Sequence, residues 1–358
     1  MSDVASSSSL AMSGGRKPHL LTVEDLRVAF RTEDGVVQAV DGVSFHVDAG
    51  EVLAIVGESG CGKSVTGMTA MGLTRSPNAR FGGRVLWDGR ELLGASDAEL
   101  RRIRGAEIAM VFQDPMTALN PVQRVGPQLA EQIRAHTELD GDAALERAGG
   151  LLERVGIPRA RDRLRAYPHE LSGGMRQRVM IAMALSCDPR LLIADEPTTA
   201  LDVTIQAQIL EEVRRLRAET NAGVILITHD LGVVADVADR VVVMYAGQIV
   251  EEGTLDELFY DPQHPYTWGL LGSIARVDRP RPARLPAITG MPPSLLAPPR
   301  GCRFRPRCPH AFGRCVEPPP LEARAGQLDR CWLTPEEKRA KRQVGGQIGL
   351  RGGEEAAA

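Results

Sequence analysis

Apolar and polar residues alternate from Leu20 to Gly50, with Val28, Phe30, Val37, Val40, Val43 and Phe45 on the apolar side and Asp34-Gly35 and Asp41-Gly42 as punctuation. A period of two broken by turn dipeptides predicts antiparallel hairpins. The pattern then becomes Val52-Leu53-Ala54-Ile55-Val56, an unbroken apolar run suited to a strand covered on both faces. A glycine-rich loop and a helical stretch from Lys63 to Met71 follow. Short apolar runs at Ile108 to Phe112, Leu191 to Ala194 and Val224 to Ile227 are separated by longer helical patterns, which predicts a largely parallel α/β sheet.

Between Pro115 and His169 no strand-like alternation occurs; charged residues are interleaved among Leu129, Ile133, Leu151, Leu152 and Val155. That predicts a helical subdomain, about 115–170, inserted into a main domain of 19–260. Gln248 to Gly253 closes a final hairpin, and Thr254 to Phe259 reads as a short helix capped by Thr254. From Arg276 to Pro320 proline and arginine are dense, which disfavours regular structure and marks a loop-rich extension over 261–340. Segments 1–18 and 341–358, rich in Ser, Gly, Glu and Ala, are expected to be disordered tails.

Composition narrows the function. The chain has 358 residues, 43% hydrophobic and 25% charged, enough for one large core and an appendage. No apolar run approaches the ~20 residues that cross a bilayer. The start lacks a basic segment and an apolar core, so it is not read as a secretory signal. A net charge of −3 offers nothing to nucleic acid, and no nucleic-acid partner is expected. Of the six cysteines, Cys302, Cys308, Cys315 and Cys331 crowd near the end; without a secretion signal they read as metal-binding rather than disulfide-forming.

The chemistry begins at Gly57-Glu58-Ser59-Gly60-Cys61-Gly62-Lys63-Ser64, which fits G-x-x-x-x-G-K-[ST]. Backbone NH groups of such a loop turn around phosphate oxygens, Lys63 reaches the β and γ phosphates, and the Ser64 hydroxyl can ligate Mg²⁺. Leu191 to Glu196 is an apolar strand ending in two carboxylates at the ligand-binding edge of an α/β sheet. Asp195 suits Mg²⁺, directly or through water, and Glu196 suits orienting or deprotonating an attacking water. His229, after a third strand, is placed to contact the γ phosphate, and Gln113, after Ile108 to Phe112, to sense Mg²⁺ and the lytic water. Leu171-Ser172-Gly173-Gly174-Met175-Arg176-Gln177 opens a further helix, whose unpaired NH groups also suit a phosphate. One cradle already exists at Gly57 to Ser64, so this second one needs a second nucleotide. Two copies, or two relatives, sandwiching ATP would satisfy both.

In sequence order the phosphate loop, Gln113, Leu171 to Gln177, Asp195-Glu196, Ala200-Leu201-Asp202 and His229 resemble the ATP-binding subunits of ABC transporters. The resemblance covers about 20–259. It implies an α/β, ABC-type P-loop ATPase with an antiparallel β subdomain, an inserted helical subdomain and a loop-rich, Cys-containing C-terminal extension. It further implies that Ser172, Gly173, Gly174 and Gln177 act on ATP held at the partner's phosphate loop, with Asp202 at the seam. Phe30 is the candidate adenine-stacking aromatic, a core role being the alternative. Met175 departs from the family's usual glutamine.

Asp195 to Thr204, Met175 to Leu185 and His264-Pro265-Tyr266-Thr267, followed by the Pro-rich extension, resemble the oligopeptide and dipeptide importer branch. That implies a peripheral subunit on the cytoplasmic face of the membrane, powering uptake of short peptides, with nickel or another solute as the alternative. It would pair with an identical or paralogous ATPase and two permease subunits, and indirectly with an extracytoplasmic peptide-binding protein. The cysteines, spaced Cys302-x5-Cys308-x6-Cys315-x15-Cys331, could hold zinc or an iron–sulfur cluster. The resemblance implies a 4Fe-4S cluster, with zinc or free or disulfide-linked thiols as the alternatives; Arg300, Arg303, Arg305, Arg307 and Arg314 would offset the charge of a thiolate site or form a solvated basic face. The rival readings are a soluble ABC ATPase of DNA or the ribosome, and an ATPase whose quartet is a metal or redox sensor.

Overall fold

Two sheets meet around the phosphate-loop helix. The structure, a computed structural model, describes residues 19–198, 203–273, 288–324 and 326–344. The tail 1–18, most of the tail 341–358 and Asp202 lie outside the described residues.

The antiparallel sheet contains β1 (Leu21–Thr32), β2 (Gly35–Val47), β4 (Ala79–Trp87) and β5 (Arg90–Glu91), ordered β2-β1-β4-β5. Only the turn at Asp34-Gly35 is real. Asp41 faces Arg27 and Val43 faces Leu26, so Gly42 is left over in the ladder as a bulge with φ 72°. The strand therefore runs through the dipeptide that was expected to end it, and the expected second hairpin is one long bent strand.

The larger sheet contains β3 (Val52–Val56), β6 (Ile108–Val111), β7 (Leu191–Asp195), β8 (Gly223–Thr228), β9 (Arg240–Tyr245), β10 (Gln248–Thr254), β11 (Glu322–Arg324) and β12 (Gln327–Asp329). Their order is β11-β12-β10-β9-β3-β8-β7-β6. The block from β9 to β6 is parallel, and β10, β12 and β11 are antiparallel. Every residue of β3, β7 and β8 is buried, as continuous apolar runs require. Alternate side chains divide two cores: Ala109, Val111, Leu192, Ala194, Val224 and Leu226 face the helices. Ile108, Met110, Leu191, Ile193, Ile225 and Ile227 face the antiparallel sheet.

Between β6 and β7 lie helices Pro115–Ala118, Val125–His136, Gly141–Arg154, Ala160–Arg163 and Gly173–Ala184, with no described strand among them. After β10, Thr254 caps helix Leu255–Tyr260 through a capping box with Glu257. Residues 288–320 hold only 3-10 turns, at Arg305–Arg307 and Gly313–Val316. The chain then returns to the main sheet, since β12 pairs with β10 through Glu251 and Asp329. Helix Pro335–Val344 occupies the start of the segment expected to be disordered from 341. Among the described residues no helix is long and apolar enough to cross a membrane.

His264 docks the helix Pro265–Gly272. Its Nδ1 accepts from the Tyr266 NH at 3.1 Å, and its own NH donates to Glu251 at 2.9 Å. Burial, reinforced by the Lys338 charge, pushes its pKa down to about 3. A depressed pKa means that the unfolded chain takes a proton below about 6.5 while the folded chain does not until about 3. The stability this histidine contributes is therefore present above 6.5 and lost as pH falls through that window. His264→Asn keeps a cap acceptor but does not titrate. The melting-temperature advantage of wild type over His264→Asn should shrink steadily from pH 7 to pH 5; a constant gap would remove the buried neutral imidazole from this account.

Candidate functional site

The loop Gly57 to Ser64 leaves the end of β3 and enters helix Lys63–Ala70. Two of its glycines are required by backbone packing. At Gly57 (φ 152°) a Cβ would lie 2.2 Å from the Met244 carbonyl, and at Gly62 (φ 102°) 2.3 Å from that of Ala39. Ser59 and Gly60 lie at the exposed mouth, whereas the Cys61 thiol is buried, its pKa raised by burial, so that only its backbone is offered to a ligand. Lys63 is 4% exposed, and its Nζ donates to the Gly57 and Glu58 carbonyls at 2.7 and 3.0 Å. The Glu58 NH donates to the Tyr266 hydroxyl at 2.8 Å, and its carboxylate is paired with Arg307.

Four parallel strands, β3, β6, β7 and β8, deliver the polar groups to the same sheet edge. Ser64 Oγ donates to Asp195 Oδ1 at 3.0 Å. Burial raises the Asp195 pKa, and the Ser64 hydrogen bond opposes it. The two hard oxygens suit a Mg²⁺ ion, which takes one or two protein oxygens and fills its shell with water and phosphate. Glu196 follows with φ 48°, its NH donating to the Ile227 carbonyl at 2.8 Å. That left-handed step turns its carboxylate toward its neighbours: Gln113 Nε2 donates to Oε2 at 3.2 Å, and His229 Nδ1 lies 3.2 Å from Oε1. Gln113 thus meets Glu196 here, while Ser64 and Asp195 meet one another. Phe30 is half-buried, opposite Val37 and Ala79, and packs against the core beneath the antiparallel sheet.

Ser172 caps helix Gly173–Ala184, its Oγ accepting from the Met175 NH at 3.3 Å. Ser172 and Gly173 are exposed, and Gly174 is half-buried. Gln177 requires a correction. It is 3% exposed and its Nε2 donates to the Pro197 carbonyl of the same chain at 2.9 Å, so its amide braces the segment after Glu196 and does not face a partner. Met175 packs against the helical-side core.

Cys302, Cys308, Cys315 and Cys331 line one small cavity with Phe304 and His310. Burial pushes Cys308 up to about 11 and Cys331 to about 12, and raises Cys302. Among the described residues the group of His, Cys, Asp or Glu whose ligand atoms lie close enough to share one ion is His19, His46 and Asp48. Of the five arginines expected to offset a cluster's charge, three are engaged elsewhere, Arg303 with Asp41, Arg307 with Glu58 and Arg314 3.7 Å above the Trp332 ring, while Arg305 lines the cysteine cavity.

Arg307 and Tyr266 are the contacts that reasoning from sequence missed. Tyr266 stood out only within His264 to Thr267, and Arg307 was one arginine among many.

Comparison with known proteins agrees with this geometry. Residues 40–199 match the ABC transporter family, and residues 250–315 match the oligopeptide/dipeptide transporter C-terminal region. The oligopeptide transport ATP-binding protein OppD of Bacillus subtilis is 53% identical over 321 residues, 89% of this chain and 90% of the relative. The dipeptide transport ATP-binding protein DppD of the same organism is 53% identical over 328 residues, 91% and 97% of the two chains. A bacterial ABC transporter cassette solved as a dimer superposes with a TM-score of 0.60 at 26% identity, over 66% of this chain and 98% of that one. The same fold is seen in a dimeric ATP-binding cassette in a post-hydrolysis state bound to ADP and Pi, with a TM-score of 0.59 at 25% identity, again over 66% and 98%. The iron–sulfur expectation is corrected by these findings: it conflicts with the identity of relatives named for oligopeptide and dipeptide transport and ATP binding. With 53% identity across nine tenths of its length and both regions matched in order, the chain belongs to the ATP-binding subunits of ABC transporters, in the branch of oligopeptide and dipeptide transport ATP-binding proteins.

Proposed function

We propose that this chain binds and hydrolyses ATP to power import of dipeptides and oligopeptides through a membrane permease complex. The observation that carries the reading is the convergence of Lys63, the Ser64–Asp195 pair and the Gln113–Glu196–His229 group on one edge of the parallel sheet. Lys63 and the loop NH groups bind the triphosphate, and Phe30 stacks on the adenine. Ser64 and Asp195 would hold Mg²⁺, which neutralises phosphate charge when bound. Glu196 orients and deprotonates the attacking water, Gln113 holds the carboxylate, and His229 contacts the γ phosphate.

Each chain supplies half a catalytic pocket. Ser172, Gly173 and Gly174 complete the partner's site, with Asp202 at the seam; their exposed helix start supports this. The partner is an identical or paralogous ATPase. Two permease subunits receive the mechanical stroke, and an extracytoplasmic binding protein delivers the peptide. The chain works peripherally, on the cytoplasmic face of the membrane. We assign 19–260 to the cassette, with its helical subdomain at about 115–170, and 261–340 to a loop-rich extension carrying the cysteines.

Ser172→Trp tests the shared pocket. ATP affinity should remain within about twofold of wild type while turnover falls by about 100-fold, the size of losing positioned donors to a reacting phosphate. Full turnover by a strictly monomeric Ser172→Trp preparation would overturn the reading.

A further inference from the structure

Arg307 stands in the extension, one residue before Cys308, yet its guanidinium ends on the phosphate loop. Nη1 and Nη2 donate to the two carboxylate oxygens of Glu58 at 2.5 and 2.9 Å. The Arg307 side chain is 5% exposed, and further hydrogen bonds hold its orientation: Nε to the Thr289 carbonyl at 3.0 Å, Nη2 to the Ile288 carbonyl at 3.3 Å and Nη1 to the Tyr245 hydroxyl at 3.3 Å. On the backbone side, the Glu58 NH donates to the Tyr266 hydroxyl at 2.8 Å and its carbonyl accepts from Lys63 at 3.0 Å. Residue 58 is thus tied at its amide, its carbonyl and its carboxylate. Two of those ties come from beyond the 40–199 cassette match.

The extension is itself anchored on either side of this contact. Arg303 bonds the Ala246 carbonyl and the Asp41 carboxylate, and Phe304 packs edge-on against Tyr245 and Tyr266. Arg307 is therefore delivered to the loop on a fixed support.

A carboxylate inside a loop that receives a triphosphate repels it, and a two-pronged guanidinium both cancels that charge and fixes its direction. We propose that Arg307 is a positioning residue for ATP: it neutralises Glu58 and, with Tyr266, holds loop residue 58 so that the cradle and Lys63 are arranged before the nucleotide arrives. The inference rests on Gly57 to Ser64 being the ATP cradle. It makes the C-terminal extension a determinant of nucleotide affinity.

The test uses full-length protein, a fluorescent ATP analogue with Mg²⁺, and single-turnover hydrolysis. Arg307→Met, which keeps an unbranched apolar stem, should weaken binding about tenfold while hydrolysis by the saturated protein stays within about twofold, the split expected of lost ground-state binding. Adding Glu58→Gln removes the stranded carboxylate and should restore affinity to within about threefold of wild type; Arg307→Lys, with charge but no fork, should fall between. A merely structural role would lower the melting temperature and leave the affinity of the folded fraction unchanged. Arg307→Met binding as wild type, or a double variant no better than the single, would overturn the proposal. Should Arg307→Met not fold, Tyr266→Phe removes one oxygen of the same brace; a loss of about threefold supports the proposal and no loss refutes it. Wild-type protein that ignores the analogue would instead overturn the nucleotide reading itself.

Discussion

Glu196→Gln is expected to bind ATP as tightly as wild type and to hydrolyse it about 1000-fold more slowly, because an amide of the same shape cannot accept the proton of the attacking water. The geometry makes the substitution clean. Glu196 is tied to Ile227 through its backbone, Gln113 Nε2 donates to one side-chain oxygen at 3.2 Å, and His229 Nδ1 lies 3.2 Å from the other, where a glutamine amide can still meet it. A glutamine oxygen can still accept the Gln113 bond, so the loop stays in place while the base is lost. If ATP binding closes the two-chain sandwich and hydrolysis reopens it, the variant should also accumulate as a dimer in Mg-ATP. Phosphate release in a single turnover and elution on a sizing column read the two effects separately. Hydrolysis within a few-fold of wild type would take the general-base role from this carboxylate.

Lys63→Ala should weaken ATP binding by at least about 100-fold, the scale of losing a buried, charge-assisted contact to phosphate. In the structure Lys63 is 4% exposed and its ammonium is held on the Gly57 and Glu58 carbonyls. It is desolvated in advance and aimed at the loop's concave side, so triphosphate oxygens gain a fixed donor at little reorganisation cost. Lys63→Met retains the stem and separates charge from packing. Equal affinity losses in the two variants, by fluorescence titration or calorimetry, would assign the effect to the ammonium. Near wild-type binding by either would contradict the cradle.

Much of the site was legible because its parts follow simple periodic rules. The apolar runs ending in Val56, Ala194 and Ile227 read as buried strands, and a parallel arrangement brings the residues after them to one edge. The glycines of the loop were legible for the same local reason. Gln177 was not: its motif suggested a partner, but the side chain turns inward to Pro197 in its own chain, and motif spacing says nothing of which face a helix buries. Asp41-Gly42 misled because a turn dipeptide and a bulge share a composition. The cysteines misled because spacing alone does not say what four thiols hold.

Sequence alone therefore determined the elements and the chemistry carried within them: a strand, a glycine loop and a lysine-headed helix are local objects, set by residues a few positions apart. Only the tertiary structure decided which groups meet across long separations. Arg307 reaches Glu58 over 249 positions, and Ser64 meets Asp195 over 131. No periodicity records such pairings, since they arise from packing two sheets and an extension around one loop, where burial and charge select partners that the order of the chain leaves open.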